Sequence, residues 1–189
     1  YAFIDCRGYG GMRDARGAYT MDEIAGDALA LADHLGFGRF SVIGHSMGGK
    51  AVQRVVTMAP ERIRKMVALT PVPASCVPFD DAGWALFSGA ADRAENRFAI
   101  IDYTTGNRLS RVWVQQMVDY SLAHAARDAF AAYLTAWAKT DFSAEVAGLP
   151  LPVKVIVGEH DPALSSTMMQ ASSSPCAATS RSTAAKVCC

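Results

Sequence analysis

The residues with the clearest capacity for chemistry are Gly44-His45-Ser46-Met47-Gly48, which have the form G-x-S-x-G. A serine placed where a strand turns sharply into a helix is forced into a strained backbone conformation. Its hydroxyl then stands clear at the strand tip, and glycines on either side remove side chains that would clash. The hydroxyl sits over a helix N-terminus, where free N–H groups and the helix dipole favour developing negative charge. The N–H of Met47 is placed to be one oxyanion donor. The chemistry such an arrangement serves is nucleophilic catalysis with Ser46 as the attacking group.

The motif has this meaning only if a strand precedes it and a helix follows. Arg39 to Ile43 reads as a strand, and Ala51, Val52, Val55, Val56 and Ala59 recur at helical spacing until Pro60 stops them. Upstream, Tyr1-Ala2-Phe3-Ile4 is an apolar, partly aromatic run that predicts a buried strand, with a turn-rich loop through Gly11. Thr20-Met21-Asp22-Glu23 has the capping-box form. It predicts a helix with Ile24, Ala28, Leu31 and Leu35 on one face, closed by Gly36 or Gly38. Lys65 to Leu69 reads as a further strand. Strand alternating with helix argues an α/β fold with a parallel sheet and crossover helices.

Beyond this the pattern changes. Residues 76–142 are dominated by helical periodicity and hold all three tryptophans, Trp84, Trp113 and Trp137. They predict an inserted helical cap. Gly148-Leu149-Pro150-Leu151-Pro152 reads as a linker, and Val153 to Val157 as a strand ending at Gly158-Glu159-His160-Asp161. The expected organisation is core over 1–75, cap over 76–142, core again over 143–164, and a Ser/Ala/Thr/Cys-rich tail over 165–189. The tail composition predicts disorder, and a shifted reading frame would explain its lack of periodicity.

Composition limits the partners. Hydrophobic residues make up 51% and charged residues 19%, with formal net charge zero, which is a globular balance that asks for neither nucleic acid nor a membrane surface. No apolar run approaches the roughly 18 residues of a membrane span. The five cysteines show no metal-ligand spacing and read as free thiols in a reducing compartment, so a cytoplasmic address is the default. Cys6 and Cys76 are expected as small buried apolar residues.

With these residues in view, the chain resembles the α/β-hydrolase superfamily, and within it the cap-bearing esterases, lactonases and cofactor-free haloperoxidase-like members. Four stretches carry the resemblance: Phe3 to Gly10, Gly44 to Gly49, Met66 to Thr70, and Val153 to Asp161. The resemblance implies Ser46 as nucleophile and Asp161 as the acid that orients a catalytic imidazole, with Asp80 and Asp81 as fallback acids. It implies acyl transfer from a carboxylic ester or lactone to water, with no cofactor and no metal. It also implies an apolar pocket drawn from the cap aromatics Trp84, Phe87, Trp113, Tyr120, Phe130, Tyr133 and Trp137. His45 and His124 are further pocket candidates. Serine at position 46 argues against dehalogenases and epoxide hydrolases, which the resemblance equips with aspartate there.

The chain departs from that pattern in two ways. The family's catalytic histidine follows the acid, whereas the four histidines here, His34, His45, His124 and His160, all precede Asp161. The family's second oxyanion donor lies on a loop that would fall upstream of Tyr1. Loss of one oxyanion donor lowers rate by about 10²–10³, and loss of a triad member by about 10⁴ or more. The sequence therefore predicts a nearly inert middle segment of such an enzyme, with an unpaired sheet edge and poor solubility. A non-catalytic ligand-binding or scaffold role, or a second chain that supplies the missing parts, is the alternative.

Overall fold

The computed structural model describes residues 1–165. The residues expected to form a disordered tail therefore lie, but for Ser165, outside the described residues. Three strands, β1 (Phe40–His45), β2 (Ile63–Leu69) and β3 (Val153–Ile156), form one parallel sheet in the order β1-β2-β3. Met66, Ala68 and Val153 turn into the core, while Ile43 of β1 stands 67% exposed. In register, His45 lies opposite Leu69, and Leu69 lies opposite Ile156. The carboxyl ends of all three strands are thus level, so the turns that follow them emerge together at one end of the sheet.

Among the described residues seven α-helices accompany the strands: α1 (Met21–His34), α2 (Met47–Met58), α3 (Asp81–Gly89), α4 (Ala94–Thr104), α5 (Arg111–His124), α6 (Arg127–Lys139) and the single turn α7 (Ser143–Val146). Helix α1 begins where the capping box places it, since Thr20 Oγ1 accepts the Glu23 N–H at 3.1 Å. The reciprocal bond is displaced by a residue or two: the Glu23 carboxylate accepts from the N–H groups of Ala18 and Tyr19. At the other end Gly36 takes φ +68°. The Phe37 N–H then reaches Ala32 O and the Gly36 N–H reaches Asp33 O, which closes the last turn with a left-handed glycine cap.

Helix α2 packs on the sheet through Ala51, Val55 and Val56, α1 packs on α2 with Ile24 and Ala25 in the same core, and Tyr133 and Phe142 close it. Helices α3 to α6 fall between β2 and β3 in the chain. They dock on the N-terminal loop through a bridge between Tyr9 and Ala125 and the Ala126 N–H to Gly8 O bond, 2.7 Å. Gly8 is required there, because a Cβ would stand 2.1 Å from that of Ala129. The bidentate pair of Arg7 with Asp27, both contacts 2.8 Å, ties the same loop to α1 and holds the Asp27 carboxyl below its usual range.

One expected strand does not form. Tyr1 to Ile4 takes no regular secondary structure and is unpaired, with Tyr1 and Phe3 essentially fully exposed. A strand exists through its ladder, and no described strand lies beside this segment. Cys76 corrects a second expectation: it is exposed, with its Sγ donating to Lys139 O, whereas Cys6 is half-buried and its thiol is pushed up to about 11, chiefly by burial.

Candidate functional site

At the carboxyl end of β1 the backbone makes the sharp turn that the motif predicts. Ser46 has φ 53° and ψ −120°, a left-handed conformation that a non-glycine residue adopts only under constraint. Three hydrogen bonds supply the constraint. The Ser46 N–H donates to Leu69 O at 3.0 Å, and Ser46 O accepts from the N–H groups of Gly49 and Val72 at 2.9 and 3.0 Å. The turn is therefore pinned to β2 and to the loop beyond it. The Ser46 hydroxyl makes no capping bond to its own helix. Met47 opens α2, and N–H groups in a first helical turn have no intrahelical acceptor.

The glycines around Ser46 are not equivalent. A Cβ on Gly44 would lie 2.1 Å from Gly48 O, and one on Gly49 would lie 2.5 Å from Pro71 Cβ. A Cβ on Gly48 would meet nothing within 4 Å. Gly44 and Gly49 are needed for close approach, while Gly48 is not, which corrects the expectation that both glycines of the pentapeptide relieve a clash.

Ser46 opens onto a cavity of about 950 Å³. Its polar rim comprises His45, Ser46, Glu159, His160 and Asp161, and its apolar wall includes Val72, Phe79, Leu86, Phe87, Ile100 and Trp137. The level strand ends explain the meeting, since Ser46 follows β1 and the Gly158–Asp161 turn follows β3. Asp161 Oδ1 accepts from the N–H groups of Ala163 and Leu164, both at 2.9 Å, which fixes the carboxylate in its turn. Asp80 is already engaged as the N-cap of α3, accepting from Gly83 N–H at 2.7 Å, and neither it nor Asp81 lines the cavity.

Of the expected pocket residues, His45 and Trp137 line the cavity and Phe87 joins them, but Trp84, Trp113 and His124 do not. Trp84 stands behind Phe79, at 6.0 Å between ring centroids, and carries the Lys139 ammonium 4.6 Å from its own centroid. Trp113 faces outward at 39% exposure. His124, at the exposed end of α5, stacks on Tyr120 at 4.0 Å, with Nδ1 2.8 Å from the Tyr120 carbonyl. Tyr120 is 61% exposed, Phe130 lies under the Arg97 guanidinium, and Tyr133 is buried in the core. The wall residue Phe79 went unread because it lies in a loop after Pro78, where periodicity carries no signal. Among the described residues no group of three or more His, Cys, Asp or Glu side chains could hold a metal ion, and no helix is long and apolar enough to cross a membrane.

Comparison with known proteins gives the arrangement its context. The sequence profile of the alpha/beta hydrolase family matches residues 1–183. The 3-oxoadipate enol-lactonase 2 of Acinetobacter baylyi is 26% identical over 168 residues, which is 84% of this chain and 60% of that protein. The non-heme haloperoxidase of Rhodococcus erythropolis is 27% identical over 178 residues, covering 83% of this chain and 63% of its own length. The crystal structure of the enol-lactonase from Burkholderia xenovorans LB400 superposes with a TM-score of 0.69 at 25% identity, covering 89% of this chain and 65% of that one. The chain thus spans about three-fifths of the length of these curated relatives.

Proposed function

Because this chain belongs to the alpha/beta hydrolase family, we propose that it carries the nucleophile and acid of a serine hydrolase acting on carboxylic esters or lactones through an acyl-enzyme. The observation that carries the reading is the strained Ser46 backbone at the mouth of a cavity that Asp161 also lines. Ser46 attacks the substrate carbonyl, and the Met47 N–H receives the developing oxyanion. Asp161 orients and stabilises an imidazolium. The apolar wall of Phe79, Phe87 and Trp137 takes the acyl or alcohol group. Two enol-lactonases among the relatives favour small esters and lactones as the substrate class.

The reading includes a deficit. No histidine follows Asp161 within the 189 residues. The two histidines on the rim, His45 and His160, are sequence neighbours of Ser46 and Asp161, and among the described residues neither ring is hydrogen-bonded to the Ser46 hydroxyl or to the Asp161 carboxylate, whose Oδ1 is taken by Ala163 and Leu164. The chain alone therefore turns over esters at least about 10⁴-fold more slowly than a complete triad would.

Two measurements test the proposal. A fluorophosphonate at long incubation should modify Ser46, located by mass spectrometry of the digested protein. Labelling spread evenly over the chain's serines would remove Ser46 as nucleophile. Hydrolysis of p-nitrophenyl acetate and butyrate should stay near background, with Ser46→Ala lower still. Fast Ser46-dependent turnover would show that a base is present, and variants of His160 and His45 would then identify it.

A further inference from the structure

Lys50 lies one helical turn beyond Ser46 on α2 and has no exposed surface. A buried lysine requires partners, because an unsolvated ammonium without them is strongly disfavoured. None of the partners here is a carboxylate. The Nζ donates three hydrogen bonds, to Ser75 O at 2.9 Å, Trp137 O at 2.8 Å and Thr140 O at 2.6 Å. These exhaust its three donors. The Phe142 ring lies 5.7 Å away, on a further side.

Two of the three acceptors belong to the C-terminus of α6, where the last carbonyls have no partner within the helix and carry the negative end of its dipole. Lys50 thus caps α6 from within the core, and the carbonyl it grips belongs to Trp137 itself. The Trp137 ring lines the cavity into which Ser46 opens, packed on Phe79 and Phe87 at 5.7 and 5.9 Å. The third acceptor, Ser75 O, lies in the segment between β2 and α3 that also supplies Val72 and Phe79 to the wall. One side chain therefore joins the helix that carries Ser46 to two of the elements that form the apolar wall, α6 and the loop after β2.

From this geometry we infer that Lys50 is a positioning residue for the pocket: it fixes the Trp137 end of α6 and the loop after β2 against the helix that carries Ser46, and so sets the distance between wall and nucleophile. The inference rests on the proposed reading of the cavity as the substrate pocket. Lys50 touches no reacting atom. Its effect passes through Trp137, and displacement of a positioning contact by about 1 Å is enough to lower catalysis by about 10²-fold.

The test uses the full chain carrying Ser46→Ala, Trp84→Phe and Trp113→Phe, so that nothing is turned over and Trp137 is the sole tryptophan. p-Nitrophenyl butyrate is the probe, and quenching of Trp137 emission reports its binding. In this background quenching should saturate. Lys50→Met should weaken binding by about tenfold or more and make Trp137 more accessible to acrylamide, while thermal unfolding remains a single transition. Lys50→Arg, which keeps a cation and its donors, should restore binding to within about threefold. Lys50→Met that binds and quenches like its parent overturns the inference and leaves the pocket reading intact. A parent that shows no saturable quenching removes the pocket reading, and the inference falls with it. If Lys50→Met does not unfold cooperatively, Lys50→Gln, which retains two donors on a shorter stem, replaces it with an intermediate loss expected. Failure of both variants to fold would make Lys50 a determinant of the fold alone and would overturn its assignment to the pocket.

Discussion

At the residue scale, the tight turn at Ser46 admits a side chain at Gly48 but not at Gly44 or Gly49. The spacing of Gly44 and Gly48 about Ser46 announces a tight turn, yet only coordinates reveal that the close approach runs from Gly44 to Gly48 O and from Gly49 to Pro71. Gly44→Ala should destabilise the chain by about 1–3 kcal/mol, since backbone must move to admit the methyl group. Gly48→Ala should change stability by no more than about 0.5 kcal/mol. Denaturant unfolding of the two variants side by side decides it, and equal losses would mean the turn is arranged differently. Lys50 was not legible, because a lysine four residues past Ser46 reads as a solvated helix position. Its pKa has a consequence for stability. Burial pushes the ammonium down to about 8, against the opposing pull of Cys76 and Asp141, the titratable groups facing it, while Arg54 lies one turn further along α2 over the same Phe142 ring. A folded pKa below the unfolded 10.5 means that the unfolded chain binds the proton more tightly between those values. Stability from this group is therefore fully present above pH 10.5 and lost as pH falls through 8, a swing on the order of 3 kcal/mol. Unfolding free energy measured from pH 7.5 to 10 should rise for the parent relative to Lys50→Met. A parallel course for the two would place the titration elsewhere.

At the element scale, local signals sufficed where the chain closes its own hydrogen bonds. Helix α1 shows this, since Thr20 caps its start and Gly36 its end. Thr20→Ala should lower stability by about 1 kcal/mol, which for a chain of this size is a fall of roughly 2–4 °C in Tm. An unchanged melting temperature would mean that the Glu23 carboxylate, through Ala18 and Tyr19, holds that terminus unaided. Strands β1, β2 and β3 were found within two residues of their observed ends, because apolar runs bounded by turns need only a neighbour to become strands. Tyr1 to Ile4 has the same sequence character and no such neighbour among the described residues, so it stays unpaired and exposed. The helices between β2 and β3 were legible as helices, and of their cavity-lining aromatics Phe87 and Trp137 were expected while Tyr103 was not. Whether Trp84 reaches the cavity depends on how α3 sits against the Phe79 loop and α6, and neither periodicity nor composition encodes that placement.

At the scale of the molecule, the level strand ends that gather Ser46 and Asp161 at one cavity also leave a sheet of three strands with β1 at its border. Among the described residues β1 pairs on one side only, with β2. Its other side presents unpaired backbone groups beside Ile43, which is 67% exposed, and the Tyr1–Ile4 segment adds Phe3 at 96%. Free strand edges flanked by exposed apolar side chains pair with other chains, and native proteins suppress this with charges placed on the edge. The isolated chain should therefore associate at micromolar concentration. Ile43→Lys should reduce the association, because it replaces an exposed apolar side chain on the edge strand with a charge that a facing chain would have to desolvate. It should leave stability within about 0.5 kcal/mol of the parent, since the side chain it replaces lies mainly in solvent. Size-exclusion chromatography with light scattering across a dilution series checks both chains. A parent that stays monomeric throughout would mean that the β1 edge is protected in solution. An Ile43→Lys chain that associates like its parent would move the contact away from β1, with the exposed Phe3 the next residue to replace.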